Sequence, residues 1–357
     1  MNRVFVIGLG AVSPAGWGVP ALRAALDAGE PLPIGRIERP GWDRPLNARL
    51  VPEPSPRPAF LAHARFRRAS PLTHYVAAAA LEALGGVQPL PPRLGLVVCL
   101  QIGCVQYSHR FYKEVLESPA AASPILFPET VFAAPASHLA ALLGNVSLVT
   151  TLLGDPAVFL QGAALAADWL TEGRVDLALV AGAEEANWLR SDAIWHFDHG
   201  CVTGAGAGCV CLGLEAGASG GVELSALTGA QTYMSSISRG RAAQLMRSQL
   251  PAGSATELLC DGLQGCRRLD APERAAWQGW PGPRLSPKRV LGEGLMAASG
   301  WQCVAACDAL ARGDFTGATL SVVGCNQQAI GARFVRSGGP FCLSCSPESP
   351  KLSAAGR

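Results

Sequence analysis

The chain has 357 residues, 49% of them apolar and only 16% charged, so it is long enough for two halves of similar size and poor in the charge that a fully solvated surface would carry. That balance implies that much of the surface is covered by a partner, and it makes an oligomer the expected state. With 29 Lys plus Arg against 27 Asp plus Glu and no basic stripe interleaved with aromatics, nucleic acid is excluded as a partner.

In chain order, Val4–Ile7 opens as a short apolar strand. The opening run MNRVFVIGLGAVSP carries Gly8 and Gly10 and no small-residue cleavage site, so it reads as a buried strand and turn rather than a secretory leader, and the chain is expected to be cytoplasmic. Gly8-Leu9-Gly10 lacks a third glycine, and Pro14 stands where a phosphate-binding helix should begin, so the pair reads as a tight turn and no nucleotide cofactor is implied. Helical stretches follow at Pro20–Ala28 and Pro71–Leu84, separated by a Pro-rich segment from Glu38 to Pro58 that reads as an irregular surface excursion. Gly95–Leu100 is a strand.

From Glu129 to Asp155 the only ionisable side chain after Glu129 and before Asp155 is His138, a span long enough to cross a bilayer. Pro135, Gly144, Asn145, Ser147, Thr150 and Thr151 interrupt any continuous lipid-facing helix, so the reading is helix Glu129–Leu143, turn, strand Ser147–Thr151, and no membrane span. Helix Pro156–Glu172, with Asp155 as its cap, strand Leu177–Ala181 and strand Gly208–Leu214 complete a first half, residues 1–215. The Ala216–Gly221 segment reads as a flexible link. A second half, residues 222–336, contains helical stretches at Glu273–Gln278 and Ala298–Ala311, and a flexible tail, 337–357, follows. Alternating strands and helices of this kind make an α/β protein with buried sheets.

Twelve cysteines fall without regular spacing and read as reduced core residues. Cys342-x-x-Cys345 and Cys303-x-x-x-Cys307 have no second pair and no nearby histidine, so no metal is expected. Cys104, five residues before His109, is a candidate nucleophile by sequence proximity, against which stands the plainer reading of a packed interface thiol.

Five segments, in order, resemble landmarks of the β-ketoacyl synthases of fatty acid and polyketide assembly. VFVIGLGAVSPAGWG (4–18) is similar to the opening strand and turn, and RFRRASPLTHYVAAAALEAL (65–84) to the first long helix. FPETVFAAPASHLAALLG (127–144) is similar to the helix before the nucleophile strand, with His138 on a family histidine. GRVDLALVAGAEEA (173–186) and TGAGAGCVCLGLE (203–215) resemble the strand and turn elements that close the first half. The resemblance implies a thiolase-like, five-layered α-β-α-β-α fold made of two similar halves, paired as a dimer.

In that family a cysteine at a helix N-terminus attacks the acyl thioester, favoured by the helix dipole and backbone N–H groups, and two histidines assist decarboxylation. The resemblance places the nucleophile at Leu153, and no cysteine lies between Cys104 and Cys201. LLCDGLQGCRRLDAPERAAW (258–277) places Asp261 at the first histidine, and KRVLGEGLMAASG (288–300) places Glu293 at the second while keeping the family lysine as Lys288. The last histidine is His199, so no shift of register restores either imidazole. SVVGCNQQAIGARFV (321–335), with Asn326, resembles the Gly-rich loop that completes the oxyanion site.

What the resemblance implies is a degenerate member, similar to the chain-length factors that pair with an active ketosynthase and help shape its tunnel. It would have no condensing activity of its own and no cofactor, its partners being an active ketosynthase (heterodimer) or itself (homodimer) and an acyl carrier protein. Helices 129–143 and 156–172 would line the interface and tunnel. Two other readings stand beside it: a changed acyl-thioester reaction, dehydration or transfer, with Asp261 and Glu293 as a carboxylate pair in one cleft, and a free-standing acyl-binding protein.

Overall fold

A computed structural model describes residues 3–85, 87, 89–216 and 221–337. The first half runs β1 (Phe5–Ser13), β2 (Gly16–Trp17), α1 (Val19–Ala28), β3 (Gly35–Ile37), β4 (Leu46–Arg49), α2 (Pro71–Leu84), β5 (Leu94–Leu100), α3 (Val105–Glu117), α4 (Ala134–Leu143), β6 (Val146–Leu153), α5 (Val158–Thr171), β7 (Leu177–Glu184), α6 (Trp188–Phe197), β8 (Thr203–Gly204) and β9 (Gly206–Gly213). The second continues β10 (Gly221–Leu227), β11 (Gln231–Thr232), α7 (Ser236–Ser248), β12 (Glu257–Cys260), α8 (Arg267–Ala276), β13 (Arg284–Leu285), α9 (Pro287–Leu291), α10 (Met296–Arg312), β14 (Gly317–Val323) and β15 (Gln328–Ser337).

The strand path is β6-β5-β7-β9-β1 followed by β10-β15-β14-β12-β13. Each set of five has the same signs: its first strand is antiparallel to the last-formed one, that one is antiparallel to the next, and two parallel neighbours finish the edge. This is an internal repeat of topology. The two sets meet through a short antiparallel contact, Phe5 with Glu223 and Val6 with Val222.

Helix α2 packs on β1, β9 and β7, while α10 touches β9, β7 and β1 on one side and β14, β12 and β15 on the other. Helix α5 lies on β7 and β5, and α7 packs on β15 and α8. The layers are therefore helix, sheet, helix, sheet, helix, as the resemblance implied. The sequence of α10 explains its place: it is buried without interruption from Met296 to Leu310, and its Ala, Gly, Ser and Cys side chains let two sheets close on it. Trp301 anchors it, its indole N–H donating to Val12 O (2.9 Å) and Ala207 O (3.1 Å).

Gly8 and Gly10 lie inside β1 rather than in a turn after it. A Cβ on either would stand 1.8 Å from a backbone oxygen, Ala83 O or Ala79 O, so the pair is what lets α2 sit directly on the strand. The Pro-rich segment 38–58 is likewise more ordered than its composition suggested. Within it Leu46, Ala48 and Arg49 are buried, and β4 joins β3 and β8 in a three-stranded sheet. Helix α4 begins at Ala134, after a short turn of 3-10 helix at Phe127–Thr130, and ends at Gly144 with φ 76°. Among the described residues no helix is long and apolar enough to cross a membrane. Most of the link 216–221, the tail beyond Ser337, and Cys342 and Cys345 lie outside the described residues.

Candidate functional site

A cleft of about 170 Å³ opens beyond the carboxyl end of β5 and the loop after β12, where open α/β sheets place their ligands. Its walls come from both halves: Gln101 and Ile102 after β5, Arg190, Ile194 and Phe197 of α6, Lys288 of α9, and Glu293, Leu295, Cys325 and Asn326. Three residues singled out from the sequence, Lys288, Glu293 and Asn326, thus meet here. Leu153 and Asp261 do not line this cleft, although Gly262, the neighbour of Asp261, does.

Lys288 Nζ donates to Glu293 Oε2 at 2.8 Å, and both side chains are almost wholly buried. Burial opposes both charges, yet the contact outweighs it: the Glu293 carboxyl is held below the usual carboxylate range and the Lys288 ammonium above its own. The other Glu293 oxygen accepts from Leu295 N (2.8 Å). Leu295 has φ 49° and ψ −116°, a conformation that favours glycine, so this carboxylate helps hold a strained residue at the cleft wall. Both Glu293 oxygens are therefore engaged within the chain, by Lys288 and by the Leu295 amide.

Asp261 is buried, and its Oδ1 accepts from Ser286 Oγ (2.5 Å) and Leu263 N (3.2 Å). Burial pushes its carboxyl up, against those hydrogen bonds and the Arg284 guanidinium. The acid next to it in charge is Glu273, whose carboxyl is pushed up to about 7 by burial and then by Asp261, while accepting from Gly262 N at 3.0 Å. Glu273, which the sequence marked only as the start of a helical stretch, thus holds the backbone beside Asp261.

Leu153 is the last residue of β6, a sheet-edge strand, and is 51% exposed. Just after it stands Asp155, wholly buried. Its Oδ1 accepts from Ala157 N (3.1 Å), and its Oδ2 accepts from Gln327 N (2.9 Å), Asn326 N (3.3 Å) and Gln328 N (3.4 Å). Asp155 is not the helix cap expected from the sequence: the helix begins at Val158 with Ala157 at the N-cap position and no side-chain cap, and the Asp155 carboxylate instead closes the turn that leads into it. What the sequence did not reveal is that the same carboxylate gathers the backbone N–H groups of the loop before β15. The entrance to a helix and a loop of successive amides are bridged by one internal carboxylate.

Three further groups escaped sequence reading. Glu184 accepts from Gln101 N (2.6 Å) and shapes the cleft loop, and Glu185 accepts from Gln106 N (2.7 Å) at the start of α3; burial pushes each carboxyl up to about 7. Arg190 is buried and donates to Glu185 O, Gly204 O and Glu293 O (2.5 Å for the last), tying α6 to the loop that carries Glu293. An "EE" pair and an Arg were visible, but their partners are mainly backbone atoms distant in sequence. The Cys104–His109 pairing does not form. Cys104 Sγ lies 3.3 Å from Ser70 Oγ with its thiol pushed up to about 12 by burial, and His109 packs edge-on against Trp188. Among the described residues no cluster of His, Cys, Asp and Glu could hold a metal ion.

No protein-family model and no curated protein matches the sequence. Solved structures do. The ishigamide ketosynthase/chain length factor is similar with TM-score 0.78 and 20% identity over 94% of this chain and 100% of that one. A β-ketoacyl synthase from Burkholderia phymatum is similar with TM-score 0.77 and 18% identity over 95% and 100%. A ketosynthase in complex with its chain length factor from Xenorhabdus doucetiae is similar with TM-score 0.74 and 13% identity over 94% and 98%. The fold is that of the ketosynthases, thiolase-like across nearly the whole chain.

Proposed function

We propose that this chain is a non-condensing, ketosynthase-like subunit of the chain-length-factor type, which pairs with a catalytically competent ketosynthase during assembly of a polyketide, polyene or fatty-acid-like chain. One observation carries the reading. At the positions that the family resemblance assigns to a sulfur and two imidazoles the sequence has Leu153, Asp261 and Glu293, and both carboxylates are engaged within the chain, Asp261 with Ser286 and Glu293 with Lys288. Asp155 adds to it, because the amides that would stabilise an oxyanion are taken by the chain's own anion.

Surface chemistry supports the pairing. Strand β6 is a bare sheet edge with Val149 and Leu153 exposed, and Ile125, Phe127, Val131 and Phe132 are exposed on the segment between α3 and α4. Edges and apolar faces of this kind are normally covered. Arg67, Arg68 and Arg110, which line one surface cavity with Ile125, offer a cationic docking face for an acidic acyl carrier protein.

Co-expression with a competent ketosynthase of the same pathway tests the reading: it expects a stable 1:1 heterodimer and product only when both chains are present. A homodimer that elongates acyl thioesters alone would contradict it. The alternative, acid–base chemistry by Asp261 and Glu293, meets the difficulty that only Glu293 lines the cleft and that both its oxygens are taken, by Lys288 and Leu295 N. Asp261→Asn in the heterodimer should leave product formation unchanged, whereas loss of product with the complex intact would favour the alternative.

A further inference from the structure

A second cavity, of about 240 Å³, lies beside the cleft and shares Cys201 with it as a wall. It is framed by the three-stranded sheet and α6, and its lining includes Arg36, Arg44, Asn47, Trp195 and His199. The chemistry of this lining is one-sided. Arg39, close by in sequence, finds a carboxylate, Asp192 at 2.8 Å, and stacks on Trp42 with its guanidinium carbon 3.7 Å from the ring centroid. Among the described residues Arg36 and Arg44 have no ion-pair partner, and no Asp or Glu lines the cavity.

A third cation, Arg49 of β4 in the same small sheet, is buried at 7% exposure and donates from Nε to Leu32 O at 2.8 Å. Beside these cations, Trp195 and His199 stack face to face, with centroids 4.1 Å apart and planes 19° apart, giving a flat wall.

We propose that this cavity binds an organic phosphate monoester, its phosphate taken by Arg36 and Arg44 and its organic part laid against the Trp195–His199 stack. Two guanidiniums lining one cavity match a dianion with three acceptor oxygens better than a single carboxylate. The proposal does not depend on the condensing or non-condensing nature of the neighbouring cleft.

Phenyl phosphate is a suitable probe, with benzoate as the monoanionic control, and binding is read by titration calorimetry on the full chain, alone or in its heterodimer. The expected result is saturable binding of phenyl phosphate, tighter than benzoate, that weakens by at least about tenfold in the Arg36→Ala/Arg44→Ala double variant. Both side chains are exposed, so this variant keeps the wild-type circular dichroism and melting temperature. No saturable binding, or affinity unchanged in a folded double variant, would overturn the proposal.

Discussion

The carboxylate of Asp155 rests against the Cα of Gly324: a Cβ at that glycine would stand 1.9 and 2.0 Å from the two Asp155 oxygens. The loop that carries Cys325 and Asn326 into the cleft is thus wrapped around an anion supplied from the other half of the chain. Gly324→Ala should destabilise the protein, by roughly 1–3 kcal/mol if the carboxylate is driven out of hydrogen bonding. Asp155→Ala should cost a similar amount, and the double variant should cost less than the sum, read from urea midpoints at constant m. Strict additivity would mean that the two residues do not share one contact.

Asp155→Ala should also raise hydrogen exchange at the amides of Asn326, Gln327 and Gln328 above that of β14, since these N–H groups lose their acceptor. Exchange-mass spectrometry resolves this loop. Unchanged protection there would remove the clamp from the account.

The buried Lys288–Glu293 pair should behave as a unit. Glu293→Gln leaves an uncompensated ammonium and should cost about 3–5 kcal/mol, whereas Lys288→Met with Glu293→Leu should recover a large part of it. A loss below about 1 kcal/mol from Glu293→Gln would show the pair to be solvated.

Stability should fall as pH rises from about 5 to 8. Glu184, Glu185 and Glu273 have folded-state pKa values raised from the usual 4.5 to about 7, so in that interval the folded state holds more protons than the unfolded one. The contribution is complete below the unfolded value and is lost as pH climbs through the folded one. Glu293, shifted the other way, opposes this only at pH below the carboxylate range. Melting temperature against pH, compared with Glu184→Gln, checks the sign; a flatter slope in the variant is expected.

Val149→Lys on the exposed edge of β6 should weaken heterodimer formation at least about tenfold while leaving the monomer folded, because it places a charge on an otherwise uncharged edge. Sedimentation of the co-expressed pair measures it.

Much of the first half was legible because β1, β5, β7 and β9 are largely apolar, mostly buried runs, and α2 announces itself by small apolar residues. The second half was less so. Helix α7 buries only Ala242, Ala243 and Met246 of its 13 residues, and β12 is four residues long, too short for a periodic signal. Within the Pro-rich stretch, β4 owes its burial to β3 and β8, the latter some 150 residues away in the chain. The positions of Lys288, Glu293 and Asn326 followed from motif resemblance, but the Asp155 clamp and the buried Arg190 and Arg49 did not. Their partners are backbone groups fixed by tertiary contact, and no side-chain pattern encodes those.

The most direct test of the non-condensing reading is intact mass. Incubated alone with an acyl thioester donor, the purified chain should keep its unmodified mass, while the competent ketosynthase treated in parallel gains one acyl group. A stoichiometric acyl adduct on this chain would contradict the account.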